Sequence, residues 1–131
     1  DSALYELEGG RWKLVFPYTA PCTDECREGL YTIRQIRLML GREMERVDRV
    51  FLHGEAPVDT LFLQAEHEGL VTLGETSLAA FLVNRIPPEV PANGYFLVDP
   101  LGNLVLYFPP GIRPRDMVSD LKRLLRLSRI G

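Results

Sequence analysis

Blocks of apolar residues separated by Pro, Gly and charged clusters set the outline of the chain. Trp12 to Tyr18 is mostly apolar, the pattern of a strand buried on both faces. Pro17 places the expected end of regular strand pairing there. Thr23 or Asp24 is the expected cap of a helix running to about Gly41, with Asp24 and Glu25 at its positive end. Leu30, Ile33, Ile36 and Leu40 recur at helical spacing and predict its buried stripe, while Arg27, Arg34 and Arg37 belong to the wetter side. Val47 to Leu52 is a second buried-type strand, ending at His53-Gly54. A second helix is expected over about Val58 to His67, with Leu61, Phe62 and Ala65 inward. Leu70 to Leu73 reads as a short strand. A third helix, about Leu78 to Asn84, is capped by Thr76 or Ser77 and closed by the Pro-rich loop Ile86 to Pro91. Tyr95–Val98 and Leu104–Phe108 flank a turn built on Pro100 and Gly102, as a hairpin requires. Pro114 suits a first helical turn. The last helix follows to about Leu127, with Met117, Leu121, Leu124 and Leu125 on one face.

Alternating strands and helices imply parallel pairing, and the short Asp99–Asn103 link implies an antiparallel pair. The expected fold class is therefore α/β, a central mixed sheet with a C-terminal β-hairpin, flanked by helices. With a cysteine pair, Cys22 and Cys26, after the first strand, this layout looks like a thioredoxin-like fold. Residues 1–10 read as a lead-in, and residues 1–131 as a single soluble domain.

Composition narrows the function classes. The chain has 131 residues, 46% hydrophobic and 25% charged, enough for one packed core and against disorder. A net charge of −3 gives no electrostatic footprint for nucleic acid. No run reaches the roughly 18 apolar residues of a membrane span. Asp1 is not an initiator residue, so the chain reads as a fragment or processed product, with either a leader or a membrane anchor as the candidate removed segment. Neither a phosphate-binding glycine loop nor a Ser-His-Asp spacing is present.

The two cysteines, Cys22 and Cys26, follow the first strand at once. On consecutive turns of one helix their Cα atoms would lie about 6 Å apart along the axis, on one face and within reach of a disulfide. A helix N-terminus stabilises a thiolate, which is both the redox nucleophile and a soft ligand for Cu(I). The spacing permits metal binding and redox exchange alike; the bland alternative is a pair of structural core cysteines.

Trp12 to Cys26, with Phe16-x-Tyr18-Thr19 leading into Cys22-x-x-x-Cys26, resembles the Sco/SenC family of cytochrome c oxidase assembly proteins. Tyr95-Phe96-Leu97-Val98-Asp99-Pro100-Leu101-Gly102 is similar to that family's penultimate strand and hairpin turn. The resemblance implies that Cys22 and Cys26 bind copper or cycle between dithiol and disulfide. It implies as partner the copper-binding subunit of the oxidase or another assembly factor. It also implies a periplasmic location on the outer face of the inner membrane, tethered through the missing anchor. Two departures stand out. The family's histidine ligand would fall near Pro91, where no histidine stands. Thr23 and Arg27 follow the cysteines, where the family usually has prolines.

Other residues complete the candidate list. His53 ends the second strand and is the candidate third copper ligand. His67 lies near the negative end of its helix, where a cation is favoured. Pro91 is a candidate for the cis-proline that thioredoxin-like folds place opposite the cysteine loop. Tyr18 is a candidate for a docking surface beside the thiols. Arg113, Arg115, Lys122, Arg123, Arg126 and Arg129 give the last helix a positive face, ordinarily only solvated, otherwise suited to anionic headgroups or an acidic partner. Three functional readings stay open: a Sco-like accessory protein of oxidase assembly, a general thiol-disulfide oxidoreductase of the cell envelope, and a non-catalytic binding module. The absent histidine shifts the first toward thiol redox work or transient two-thiolate Cu(I) transfer.

Overall fold

A computed structural model describes residues 10–131; most of the lead-in expected over residues 1–10 lies outside them. Five strands form one mixed sheet: β1 (Trp12–Tyr18), β2 (Val47–His53), β3 (Val71–Leu73), β4 (Tyr95–Val98) and β5 (Leu104–Phe108). Their order across the sheet is β3-β2-β1-β4-β5. β1 pairs parallel with β2, and β2 parallel with β3, whereas β4 runs antiparallel to both β1 and β5. Among the described residues, four α-helices cover the faces: α1 (Asp24–Met39), α2 (Thr60–Glu66), α3 (Glu75–Asn84) and α4 (Pro114–Leu127). A 3₁₀ turn over Gly41–Arg46, not expected from the residue pattern, leads into β2.

The buried-on-both-faces reading of β1 is met, because alternate side chains feed two separate cores. Trp12, Leu14 and Phe16 pack with Leu30, Ile33 and Ile36 of α1 and Met117, Leu121 and Leu125 of α4. Val15 packs on the other face with Val50, Leu52, Phe96 and the α3 residues Leu78 and Phe81. α4 carries its apolar stripe as the 3.6-residue period requires.

Some expectations are corrected. Pairing does not stop at Pro17: β1 stays in register with β2 to Tyr18↔His53. Its ladder with β4 registers only Lys13 to Val15, so the missing amide of Pro17 falls where no β4 partner is paired. α2 is shorter than expected and turned: Leu63 and His67 face inward, whereas Leu61 and Ala65 are exposed. Asp59 fixes that start, its carboxylate accepting from the Phe62 amide at 3.0 Å. α3 starts after Gly74, so neither Thr76 nor Ser77 is its cap. The expected hairpin turn is present. Asp99 Oδ1 accepts from the Leu101 and Asn103 amides, both at 2.9 Å.

The sheet has two distinct ends. Tyr18, His53, Tyr95 and Phe108 lie at one of them. Trp12, Val47, the Asp99–Asn103 turn and the end of α4 lie at the other, where the Trp12 indole donates to the Ile130 carbonyl at 2.9 Å. Arg46 fixes that second end. Its guanidinium donates to the carbonyls of Leu125 at 2.6 Å and Ile130 at 2.9 Å, and pairs with Glu43 at 2.9 Å.

Candidate functional site

The chain leaves β1 at Tyr18 and crosses to α1 through Thr19-Ala20-Pro21-Cys22-Thr23. Thr23 is the N-cap, extended at φ −102° and ψ −154°, and its amide donates to the Pro21 carbonyl at 3.0 Å. Cys22 therefore sits ahead of the helix and Cys26 within its first turn, rather than both on helical turns. Their Cα atoms are 4.9 Å apart and the sulfurs are bonded at 2.03 Å. Cys22 is half-buried, whereas Cys26 is fully buried in the core beneath α1.

Two glycines hold this turn in place. Gly29 lies one helical turn beyond Cys26 and faces the Phe16 ring. A Cβ there would lie 2.7 and 2.9 Å from the two Cε atoms and closer still to Cζ. The ring is boxed in by Tyr18, Phe51 and Tyr95, with centroids 5.7, 6.1 and 5.6 Å away. Gly54, just past β2, lies against the Thr19 backbone; a Cβ would be 3.2 Å from the Thr19 carbonyl carbon and closer to its oxygen. These close approaches lock the exits of β1 and β2 together. Neither glycine was singled out from sequence. The available signal for Gly29 is a glycine inside a helix, at i+3 from Cys26 and beside the apolar stripe.

Two open clefts flank the loop. Thr19, Pro21 and Gly54 share a cleft of about 600 Å³ with Glu55, Glu75 and Leu78. On the far side of the same loop, Tyr18 and Ala20 line a cleft of about 480 Å³ with Pro17, Leu82, Ala92 and Asn93. Tyr18 thus does border an open surface beside the thiols. Next to Cys26, the Arg27 guanidinium lies 4.2 Å from the Phe62 ring centroid and 3.8 Å from the Asp59 carboxylate, tying α1 to α2. Under the loop, burial pushes the Tyr95 phenol above its usual pKa, opposed by its hydrogen bond with Thr32.

His53 reaches the right end of the sheet, opposite Tyr18, but does not complete a metal site. Its Nδ1 is 3.0 Å from the Gly54 carbonyl and its ring is tilted on Phe51, 5.7 Å between centroids. Among the described residues no three His, Cys, Asp or Glu side chains converge as a metal-holding group. The dithiol form would offer two soft donors, and the disulfide form offers no thiolate. Pro91 is an exposed loop residue, and no described peptide bond is cis, so it is not the expected cis-proline.

The expectation for His67 is reversed. It is buried at the end of α2, its ring edge-on to Phe62 at 5.4 Å, and its Nδ1 has no partner among the described residues. Burial first, then Arg34 and Arg49, lower its pKa, so the neutral ring is favoured despite the helix end. Met117 is core, whereas Met39 is exposed and Met44 half-buried.

A disulfide-bonded cysteine pair at the strand-to-helix turn of a mixed β3-β2-β1-β4-β5 sheet defines a protein of the thioredoxin-like class. The family model for the transmembrane-like, thioredoxin-like, C-terminal domain matches residues 12–128, and the chain belongs to that family. Among solved structures it is similar to yeast Sco1 with copper bound, at 16% identity and a TM-score of 0.71, covering 95% of this chain and 81% of that one. Apo Sco1 from Thermus thermophilus is 22% identical with a TM-score of 0.69, covering 92% and 83%. A putative thiol-disulfide oxidoreductase from Bacteroides vulgatus is 18% identical with a TM-score of 0.58, covering 96% and 80%. A search of curated proteins finds no match. The resemblance read from the sequence is thus met at the level of fold.

Proposed function

We propose that this protein is a Sco-like accessory factor of respiratory cytochrome c oxidase assembly, working through the Cys22–Cys26 pair. The observation that carries this reading is the asymmetric pair itself: a half-buried Cys22 in a loop between two clefts, bonded to a buried Cys26 at a helix N-terminus. The partner in this reading is the copper-binding subunit of the oxidase or a second assembly factor. The site of action is the outer face of the inner membrane, with the chain tethered there.

Starting from the reduced pair, the Cys22 thiolate attacks one sulfur of the partner's disulfide. A Cys22–partner bond forms, the partner's S–S bond breaks, and its other sulfur leaves as a thiolate. Cys26 then gives up its proton and attacks Cys22 Sγ, releasing the second partner thiolate. The partner ends as a dithiol ready for copper, and this chain ends as the Cys22–Cys26 disulfide. Exposure makes Cys22 the attacking residue and burial makes Cys26 the resolving one. The same reduced pair supplies two thiolates for Cu(I) as cargo.

The test is anaerobic titration of the reduced protein with Cu(I) against a competing chelator, alongside a reduction potential measured in glutathione buffers. One Cu(I) per chain, lost in both Cys22→Ser and Cys26→Ser, supports copper transfer; its absence removes that branch. A pair that fails to reoxidise under mild conditions removes the redox branch. A second reading, a general thiol-disulfide oxidoreductase of the cell envelope, is favoured by the likeness to the Bacteroides protein. It predicts reduction of unrelated protein disulfides with no preference for the oxidase subunit.

A further inference from the structure

From the end of the sheet opposite the disulfide, we infer that this protein docks on an anionic bilayer through the C-terminal half of α4 and the adjoining end of α1. The inference stands apart from the thiol chemistry and uses different residues. Lys122, Arg123, Arg126 and Arg129 lie on or just past that half of α4, and Arg42 stands opposite, across a cleft of about 380 Å³ shared with Lys122 and Arg126. Among the described residues none of these five cations is in an ion pair. They are a third of the chain's 15 Lys and Arg, on a protein of net charge −3. The acidic neighbours are few. Glu43 is held by Arg46 at 2.9 Å, and Glu45 and Asp120 are exposed.

Apolar side chains stand exposed at the same end. Leu127 is 77% exposed and Leu101, at the tip of the hairpin turn, 69%; Leu38, Met39 and Ile130 are also exposed. The sheet register brings them together. The 3₁₀ turn returns the end of α1 to the start of β2, the hairpin turn follows the Val98↔Lys13 pair, and Ile130 sits on Trp12. Cations interspersed with exposed leucines fit a headgroup layer: arginine and lysine meet the anionic lipids, and the apolar side chains enter the acyl boundary. An acidic protein surface would satisfy the cations and leave the leucines without a matching phase. With the bilayer at this end, Cys22 and its two clefts face away from it, toward the aqueous side.

The probe is flotation of the full chain with vesicles of 30% phosphatidylserine in phosphatidylcholine, against pure phosphatidylcholine, at low salt. The expected result is binding to the anionic vesicles alone, released by 0.5 M NaCl. Each removed cation should cost about fivefold in partitioning, so Lys122→Gln with Arg126→Gln lowers it about 25-fold. Leu127→Ser lowers it further, while Leu61→Ser on α2, near the disulfide, leaves it unchanged. Native circular dichroism of each variant confirms that it is folded. Reduction of Cys22–Cys26 by a water-soluble phosphine should run at the same rate on vesicles as in solution; marked slowing would overturn the orientation. Equal binding to neutral vesicles, no binding at all, or capture by polyglutamate in place of vesicles would each overturn the docking inference.

Discussion

Gly29→Ala tests whether the packing of α1 on β1 sets the position of Cys26. In an exposed helix the change would stabilise the protein by about 1 kcal/mol, because alanine loses less backbone entropy than glycine. Here the new Cβ would lie 2.7 Å from one Phe16 Cε and closer to Cζ, well inside van der Waals contact. The ring cannot swing clear, since Tyr18, Phe51 and Tyr95 surround it. Overpacking of this kind costs about 1–3 kcal/mol. Set against the helix gain, the net result is a loss of up to about 2 kcal/mol, or up to roughly 8 °C in Tm for a chain of this size. Urea unfolding of the oxidised protein measures it directly. The same substitution in a Phe16→Leu background should become neutral or stabilising, since the ring tip is then gone. A gain of about 1 kcal/mol from Gly29→Ala alone would refute the argument, because it would mean that α1 meets no obstacle at Phe16.

Reducing the disulfide opens a loop of only about five residues, so chain entropy limits the stability loss to about 2 kcal/mol; urea midpoints with and without reductant check this, and the reduced protein should remain folded. Asp99→Ala leaves the Leu101 and Asn103 amides without their carboxylate and should cost about 2–3 kcal/mol by thermal melting. Arg46→Ala should release residues 125–131, seen as faster amide exchange there than in β1. His67 has a lowered pKa when folded, so the unfolded chain takes up its proton first as pH falls. Its contribution is therefore present above the usual imidazole value and lost on acidification through and below it. The drop in unfolding free energy between pH 7.5 and 5.5 should be smaller in His67→Gln than in wild type.

Strands and hairpin were legible because their signals are local. The apolar run of β1, the Pro100–Gly102 turn and the stripe of α4 each depend on nearby residues. The orientation of α2 was not legible. In seven residues several apolar faces compete, and the Asp59 cap together with burial of His67 decides between them. The burial of Lys13 and Arg49 escaped for the same reason, since their neighbours come from other strands and helices. At the site, the cysteine pair was plain from spacing, but its asymmetry depends on Thr23 ending the loop between the two. The roles of Gly29 and Gly54 lie in contacts across 13 and 35 positions of sequence, which no local pattern encodes. His53 was placed at the correct end by parallel pairing, but its contacts there, with the Gly54 carbonyl and the Phe51 ring, come from the fold and not from spacing.

The contact between Gly54 and the Thr19 backbone has a bearing on how this turn can change over time. The stem of the loop is gripped through main-chain atoms, and the grip is indifferent to the side chains of Ala20, Pro21 and Thr23, all of which are exposed. Those three positions behave as an exchangeable cassette on a fixed mount. Their identity can drift or be redesigned to suit a new partner while the sulfurs are presented from the same place.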